Sequence, residues 1–146
     1  MLIFSTTACT SGPKLSEDGP RFQQAAQTVL DDAIRFRVVE GDKPTVKQDA
    51  TTDVSCGDDT AKRVFEASVP LNVAISVDNA FDLTMSSVMG SAKGYSIETW
   101  PDSDDPDRRE LTMRAGDYPA TIKAVVTAKP VPTLTLTGET DCLTAG

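Results

Sequence analysis

Over residues 64–77 the chain alternates with a period of two. Phe65, Ala67, Val69, Leu71, Val73, Ile75 and Val77 are apolar, while Glu66, Ser68, Pro70, Asn72, Ala74 and Ser76 between them are polar or small. Successive side chains of a strand leave opposite faces of a sheet, so the pattern predicts a strand dry on one face and wet on the other. Pro70 has no amide proton to give a ladder, so the strand is expected to be an edge there, or to bend or bulge. The alternation recurs downstream in Tyr95, Ile97 and Thr99, in Leu111, Met113 and Ala115, in Ile122, Ala124 and Val126, and in Leu134 and Leu136. The connections at 101–108, 116–119 and 129–132 carry turn chemistry, so these four strands read as an antiparallel meander.

Two stretches repeat at the helical period instead. From Pro20, the positions Phe22, Ala25, Ala26, Val29, Leu30 and Ala33 form one stripe opposite Gln23, Gln24, Gln27, Asp31 and Asp32, with an end expected between Arg35 and Gly41. Val77, Phe81, Met85, Val88, Met89 and Ala92 form a second stripe, with Asp78 or Asn79 as N-cap and Gly94 at the C′ position. A weaker strand places Val46, Ala50, Val54 and Cys56 on one side. The Gly57-Asp58-Asp59-Thr60 turn would pair it with the 64–77 strand as a hairpin. The expected fold is α+β: an antiparallel sheet, hairpin plus four-strand meander, with two helices packed on one face.

At 146 residues the chain is long enough for one domain with a real core. Its 14 basic and 22 acidic residues give a net charge of −8, which repels phosphate backbones and argues against nucleic acid as a partner. There is no histidine, which removes the usual general base, the usual zinc ligand and every His-dependent triad. No cofactor is implied.

The three cysteines are Cys9, Cys56 and Cys142. An odd count leaves one thiol over. Met1 to Ala8 begin apolar and end in small residues directly before Cys9, which resembles the end of a bacterial lipoprotein signal peptide, with Thr6 standing where Leu is usual. The resemblance implies that residues 1–8 are a truncated signal peptide whose true start lies upstream, and that Cys9 carries the lipid. Residues 9–19, rich in Ser, Gly, Pro and acids, then read as a flexible tether, and 20–146 as a single domain. Continuing the last strand's alternation puts Cys142 on the side of Leu134 and Leu136. Cys56 and Cys142 are therefore both expected to face the core, as a bridge closing 142 − 56 = 86 residues or else as two buried free thiols.

The layout as a whole resembles the small cell-envelope lipoproteins of actinobacteria and their phages. The matching features are Cys9 with its polar tether, a helix, a Cys-bearing hairpin, a second helix ending in Gly94-Tyr95, and a last strand closing as Leu136-Thr137-Gly138-Glu139-Thr140-Asp141-Cys142. The resemblance implies an envelope location and a helix-on-sheet domain, and it carries over no catalytic residues.

Candidate chemistry is sparse. Asp102, Asp104, Asp105 and Asp107 crowd one loop, and oxygen clusters can hold calcium. Counted from Asp102, however, Asp107 falls where an EF-hand needs Gly and Met113 where it needs Glu, so a solvated hairpin tip is the expectation. Trp100 beside Pro101 is a candidate sugar platform. Ser11-Gly12-Pro13-Lys14 matches S-x-x-K of penicillin-recognising enzymes, without the later Lys-Thr-Gly. The expected function is a non-enzymatic, lipid-anchored extracytoplasmic domain that binds an envelope protein or glycan, with Trp100 and the four aspartates as possible contacts. The alternatives are a phage superinfection-exclusion or immunity lipoprotein, and a carboxylate-based cell-wall hydrolase.

Overall fold

In the computed structural model the described residues are 12–37, 43–71, 77–99 and 105–146. In chain order the elements are α1 (Leu15–Arg37), β1 (Thr45–Asp49), β2 (Val54–Gly57), β3 (Thr60–Lys62), β4 (Val64–Pro70) and α2 (Val77–Ser91). They continue with β5 (Tyr95–Thr99), β6 (Arg108–Ala115), β7 (Ala120–Thr127), β8 (Thr133–Thr140) and β9 (Leu143–Thr144). Six strands form one antiparallel sheet in the order β1-β4-β8-β7-β6-β5. The fold is α+β, as the alternation predicts, with α1 and α2 covering one face of that sheet.

The dry face is the one the sequence marks. Phe65, Ala67 and Val69 of β4, Leu111, Met113 and Ala115 of β6, Ile122, Ala124 and Val126 of β7, and Leu134 and Leu136 of β8 are all buried. Phe22, Ala26, Val29, Leu30 and Ala33 of α1, with Met85 and Val88 of α2, close over them. Gly138 continues the dry side of β8, and a Cβ there would lie 2.9 Å from the Thr121 carbonyl oxygen and 3.0 Å from the Phe22 ring. The missing side chain is what lets Phe22 reach the sheet.

Several expectations shift. α1 begins at Leu15, so residues 15–19 of the expected tether are helix. Leu15 is buried, the Asp18 amide donates to the Lys14 carbonyl at 2.9 Å, and Glu17 and Asp18 suit the positive end of the helix dipole. β4 ends at Pro70 rather than running on to Val77, which is already the first residue of α2; Asp78 and Asn79 thus lie within the helix rather than capping it. β4 is an inner strand. At Pro70 it has outrun β1, whose pairing ends at Thr45 with Ser68, while the next amide, Leu71, donates to Pro132 on the β8 side. The absent proton of Pro70 therefore points to the side where no strand lies. Gly94 has the positive φ of 79° expected after a helix end.

The largest correction concerns the hairpin. β1 does pair with β4, but Ala50 turns the chain at a φ of 63°, and β2 then pairs with β3 in a second, three-stranded sheet, β2-β3-β9. Asp58 and Asp59, both at positive φ, form its two-residue turn. Val46 is consequently 44% exposed rather than core. Cys56 and Cys142 do bridge, with Cα atoms 6.0 Å apart, but both are exposed and neither faces the core. Period-two alternation places side chains only while a strand runs straight, and here the ladder breaks at Ala50 and again after Thr140. In the chain-entropy model a loop of 86 residues contributes about 4–5 kcal/mol.

Arg63 joins the two sheets. Its guanidinium pairs with Asp53 and donates to the Ala50 carbonyl at 2.8 Å. Its amide donates to Thr140 Oγ1 at 3.0 Å, and its carbonyl accepts from the Thr140 amide at 3.0 Å. Lys14 adds a parallel bridge to Thr144, so the entry to α1 and the end of the chain lie together beside the small sheet.

Gly138→Ala is expected to destabilise the domain by about 1–3 kcal/mol, through a forced shift of Phe22 or β7. Gly90→Ala, on the exposed side of α2 with nothing within 4 Å, is expected to stabilise it by roughly 0.5–1 kcal/mol. Urea midpoints of the two variants check both signs.

Candidate interaction surface

The wet face of the large sheet is a regular surface. Because β4, β8, β7 and β6 pair in register, their outward residues form rows across the sheet: Ser68, Thr135, Val125 and Glu110 in one, Glu66, Thr137, Lys123 and Thr112 in the next. Hydroxyls dominate, and charges sit among them in pairs.

Glu110 is bound on both oxygens, by Lys123 Nζ at 2.7 Å and Arg108 Nη2 at 2.6 Å. Its carboxyl is held below the usual carboxylate range, first by the hydrogen bond from Lys123; desolvation opposes this, and the hydrogen bond from Arg108 adds to the lowering. Arg114 donates to Thr121 Oγ1 at 3.1 Å and to both oxygens of Asp141, at 3.0 and 3.4 Å. Lys62 meets Glu139 at 2.8 Å and Lys47 meets Glu66 at 3.7 Å. Exposed pairs of this kind contribute only about 0–1 kcal/mol each. They order the face more than they hold the fold.

Two shallow troughs cross this face, of about 340 and 270 Å³, and share Glu66. The first is lined by Thr121, Lys123, Thr137 and Glu139, the second by Lys47, Ser68, Thr133 and Thr135. Such a surface can recognise a flat polar partner by hydrogen bonds and matched charge. It holds no imidazole to activate a hydroxyl, and Glu110, with its carboxyl lowered, is a weak proton acceptor.

The sequence reading missed a second cluster, at the end of the sheet where α1 begins. Tyr95 and Tyr118 share a hydroxyl–hydroxyl hydrogen bond of 2.8 Å with rings edge-to-face at 6.0 Å, and the Arg21 guanidinium lies 4.5 Å over the Tyr118 ring. Arg21 also reaches Asp18 at 3.5 Å and Asp117 at 3.9 Å. A polar groove of about 530 Å³ runs from Tyr118 between the helices, past Gln24, Thr28, Asp32 and Lys93. Burial first, then the mutual hydrogen bond, pushes Tyr95 far above the ordinary tyrosine value, and burial also raises Tyr118. The available signal was that these are the only two tyrosines in the chain, each beside a turn glycine or proline.

The structure describes only some of the residues singled out from the sequence. Cys9, Trp100, Asp102 and Asp104 lie outside the described residues. Asp105 is committed to its own turn, its carboxylate accepting the Asp107 amide at 2.9 Å, and Asp107 meets Lys129 at 3.3 Å. Both stand at the opposite end of the sheet from the tyrosines, because Asp107 accepts the Ala128 amide while Asp141 donates to Pro119. Among the described residues no group of three metal-ligating side chains converges. The two helices with the six- and three-stranded sheets define an α+β domain with a polar open face; protein-family models, curated proteins and solved structures include no match to the chain.

Two pH effects are expected. Both tyrosines have folded-state values raised above the ordinary value near 10.0, so they should remain protonated at that pH in the native protein. The stability they contribute is full below the unfolded value and is lost as pH rises through the folded one. The phenolate absorbance band should therefore appear together with loss of the far-ultraviolet dichroism, not before it. Glu110 has the opposite sign: its contribution is full above the unfolded glutamate value and is lost as pH falls through the lowered folded one. Glu110→Gln should flatten the acid limb of the stability profile.

Proposed function

We propose that this chain is a lipid-anchored extracytoplasmic binding domain. In this reading it is held to the membrane through Cys9, acts without a catalytic step, and meets an envelope protein or glycan with the polar face of its sheet. The observation that carries the reading is the Cys56–Cys142 disulfide on the molecular surface. An exposed bridge is open to thiol exchange and persists where the compartment is oxidising. It uses two of the three cysteines and leaves Cys9, set among the small residues that resemble a lipidation site, as the one thiol without a partner in that arithmetic. The open sheet face supports the binding role, because its hydroxyls and paired charges are regular over β4, β8, β7 and β6.

Cells fed labelled palmitate are expected to yield a labelled protein, and Cys9→Ala should abolish the label; a label that survives rules out Cys9 as the anchor. Thiol-blocked peptide mapping should give a single linked peptide holding Cys56 and Cys142. A photo-crosslinker at Thr135 should capture a discrete partner in intact cells, whereas one at Thr28 on the helix side should not. Equal products from both positions would remove the sheet face as the binding surface.

A further inference from the structure

We infer that the pole formed by β2, β3, β9 and the Cys56–Cys142 bridge faces the lipid surface, and that the Asp105–Arg108 and Lys129–Pro132 turns are held at the outer end. The inference rests on lipidation at Cys9. Lys14 is fixed to Thr144 by a parallel bridge, Thr144 pairs with Thr60 of β3, and the Asp58-Asp59 turn follows directly. The folded domain therefore starts at this pole, 14 − 9 = 5 residues after Cys9. Five residues span at most about 18 Å even when fully extended.

The strands of the large sheet lead away from that point, since β4 starts and β8 ends beside Arg63. α1 starts beside the small sheet, passes Arg63 at Gly19 and Gly138 at Phe22, and runs 23 residues, or about 35 Å. At the far end, Ala128 bonds to Asp107 and Leu71 to Pro132, so the turns before β6 and after β7 sit together there. A body tethered at one end beside a wall keeps most rotational freedom when its bulk points outward. The net charge of −8 adds repulsion from anionic lipid, which acts over about a Debye length of 8 Å. Among the described residues the pole is not a basic patch: Asp58 and Asp59 lie at its tip, Lys62 and Arg63 are occupied by Glu139 and Asp53, and Lys14 stands alone at its entry. The tether, rather than attraction, brings this pole to the membrane. The small sheet and its bridge then brace the place where the anchor pulls.

Hydroxyl-radical footprinting reads the two poles directly, since the exposed cystine marks one and Val131, 56% exposed, marks the other. The acylated protein on phosphatidylglycerol-containing vesicles is compared with soluble Cys9→Ser. A several-fold loss of cystine oxidation on the vesicle, with Val131 unchanged, is the expected result. Protection of Val131 as well, or of Val131 alone, overturns the orientation. A Gly/Ser insertion of about 20 residues between Ser11 and Gly12 should retain the lipid and abolish the protection. Protection that survives the insertion means the pole binds lipid by itself and also overturns the inference. Intact mass separates the two layers: no acyl group on Cys9 removes the anchor and the orientation with it, whereas acylation without pole-specific protection removes only the orientation.

Discussion

The Phe22 ring rests on Gly138, and that contact sets how closely α1 can approach the sheet. Ala26, Val29, Leu30 and Ala33 of α1 are buried behind it. β8 is the right strand to carry it, because it lies inside the sheet between β4 and β7 and has a neighbour on both sides. Leu134 and Leu136 fill the dry face along β8 until Gly138, where the strand offers only backbone and the helix supplies the bulk. Packing of this density has no slack for a methyl group at a site bounded by a carbonyl oxygen and a ring.

Past that point only the first turns of α1 remain, beside the small sheet, and the chain adds another device. Thr140 turns its hydroxyl to the Arg63 amide, Arg63 ties back to Ala50 and Asp53, and the disulfide closes the outer rim. A three-stranded sheet with exposed strands buries little apolar area, so hydrogen bonds to a charged group and a covalent link supply what the hydrophobic effect does not. The same pole receives both ends of the described chain, since Lys14 bridges Thr144.

The charges of the wet face sit in matched pairs. Lys47, Lys62, Arg108, Arg114 and Lys123 are matched there by Glu66, Glu98, Glu110, Glu139 and Asp141, five against five. A neutral, hydroxyl-rich platform on an acidic body is suited to selective contact with a polar partner, because the surrounding charge discourages anions that the platform itself would tolerate.

The meander, both helices and the dry face were legible from residue order, because burial on one side imposes a period that composition cannot hide: Leu111, Ile122 and Leu134 all fall where alternation puts them. So was the pairing of Cys56 with Cys142, by counting. What residue order did not contain was the split of the first hairpin at Ala50, the exposure of the bridge, the start of α1 at Leu15 and the Tyr95–Tyr118–Arg21 cluster. Each depends on contacts between residues far apart in the chain. Ala50 takes a left-handed backbone with its carbonyl held by Arg63, far along the chain, and two tyrosines become a pair only when the turn that holds one is folded against the strand that holds the other. Period and turn chemistry are local and survive in one dimension; the direction a side chain takes after a strand breaks is set by whatever the fold brings beside it.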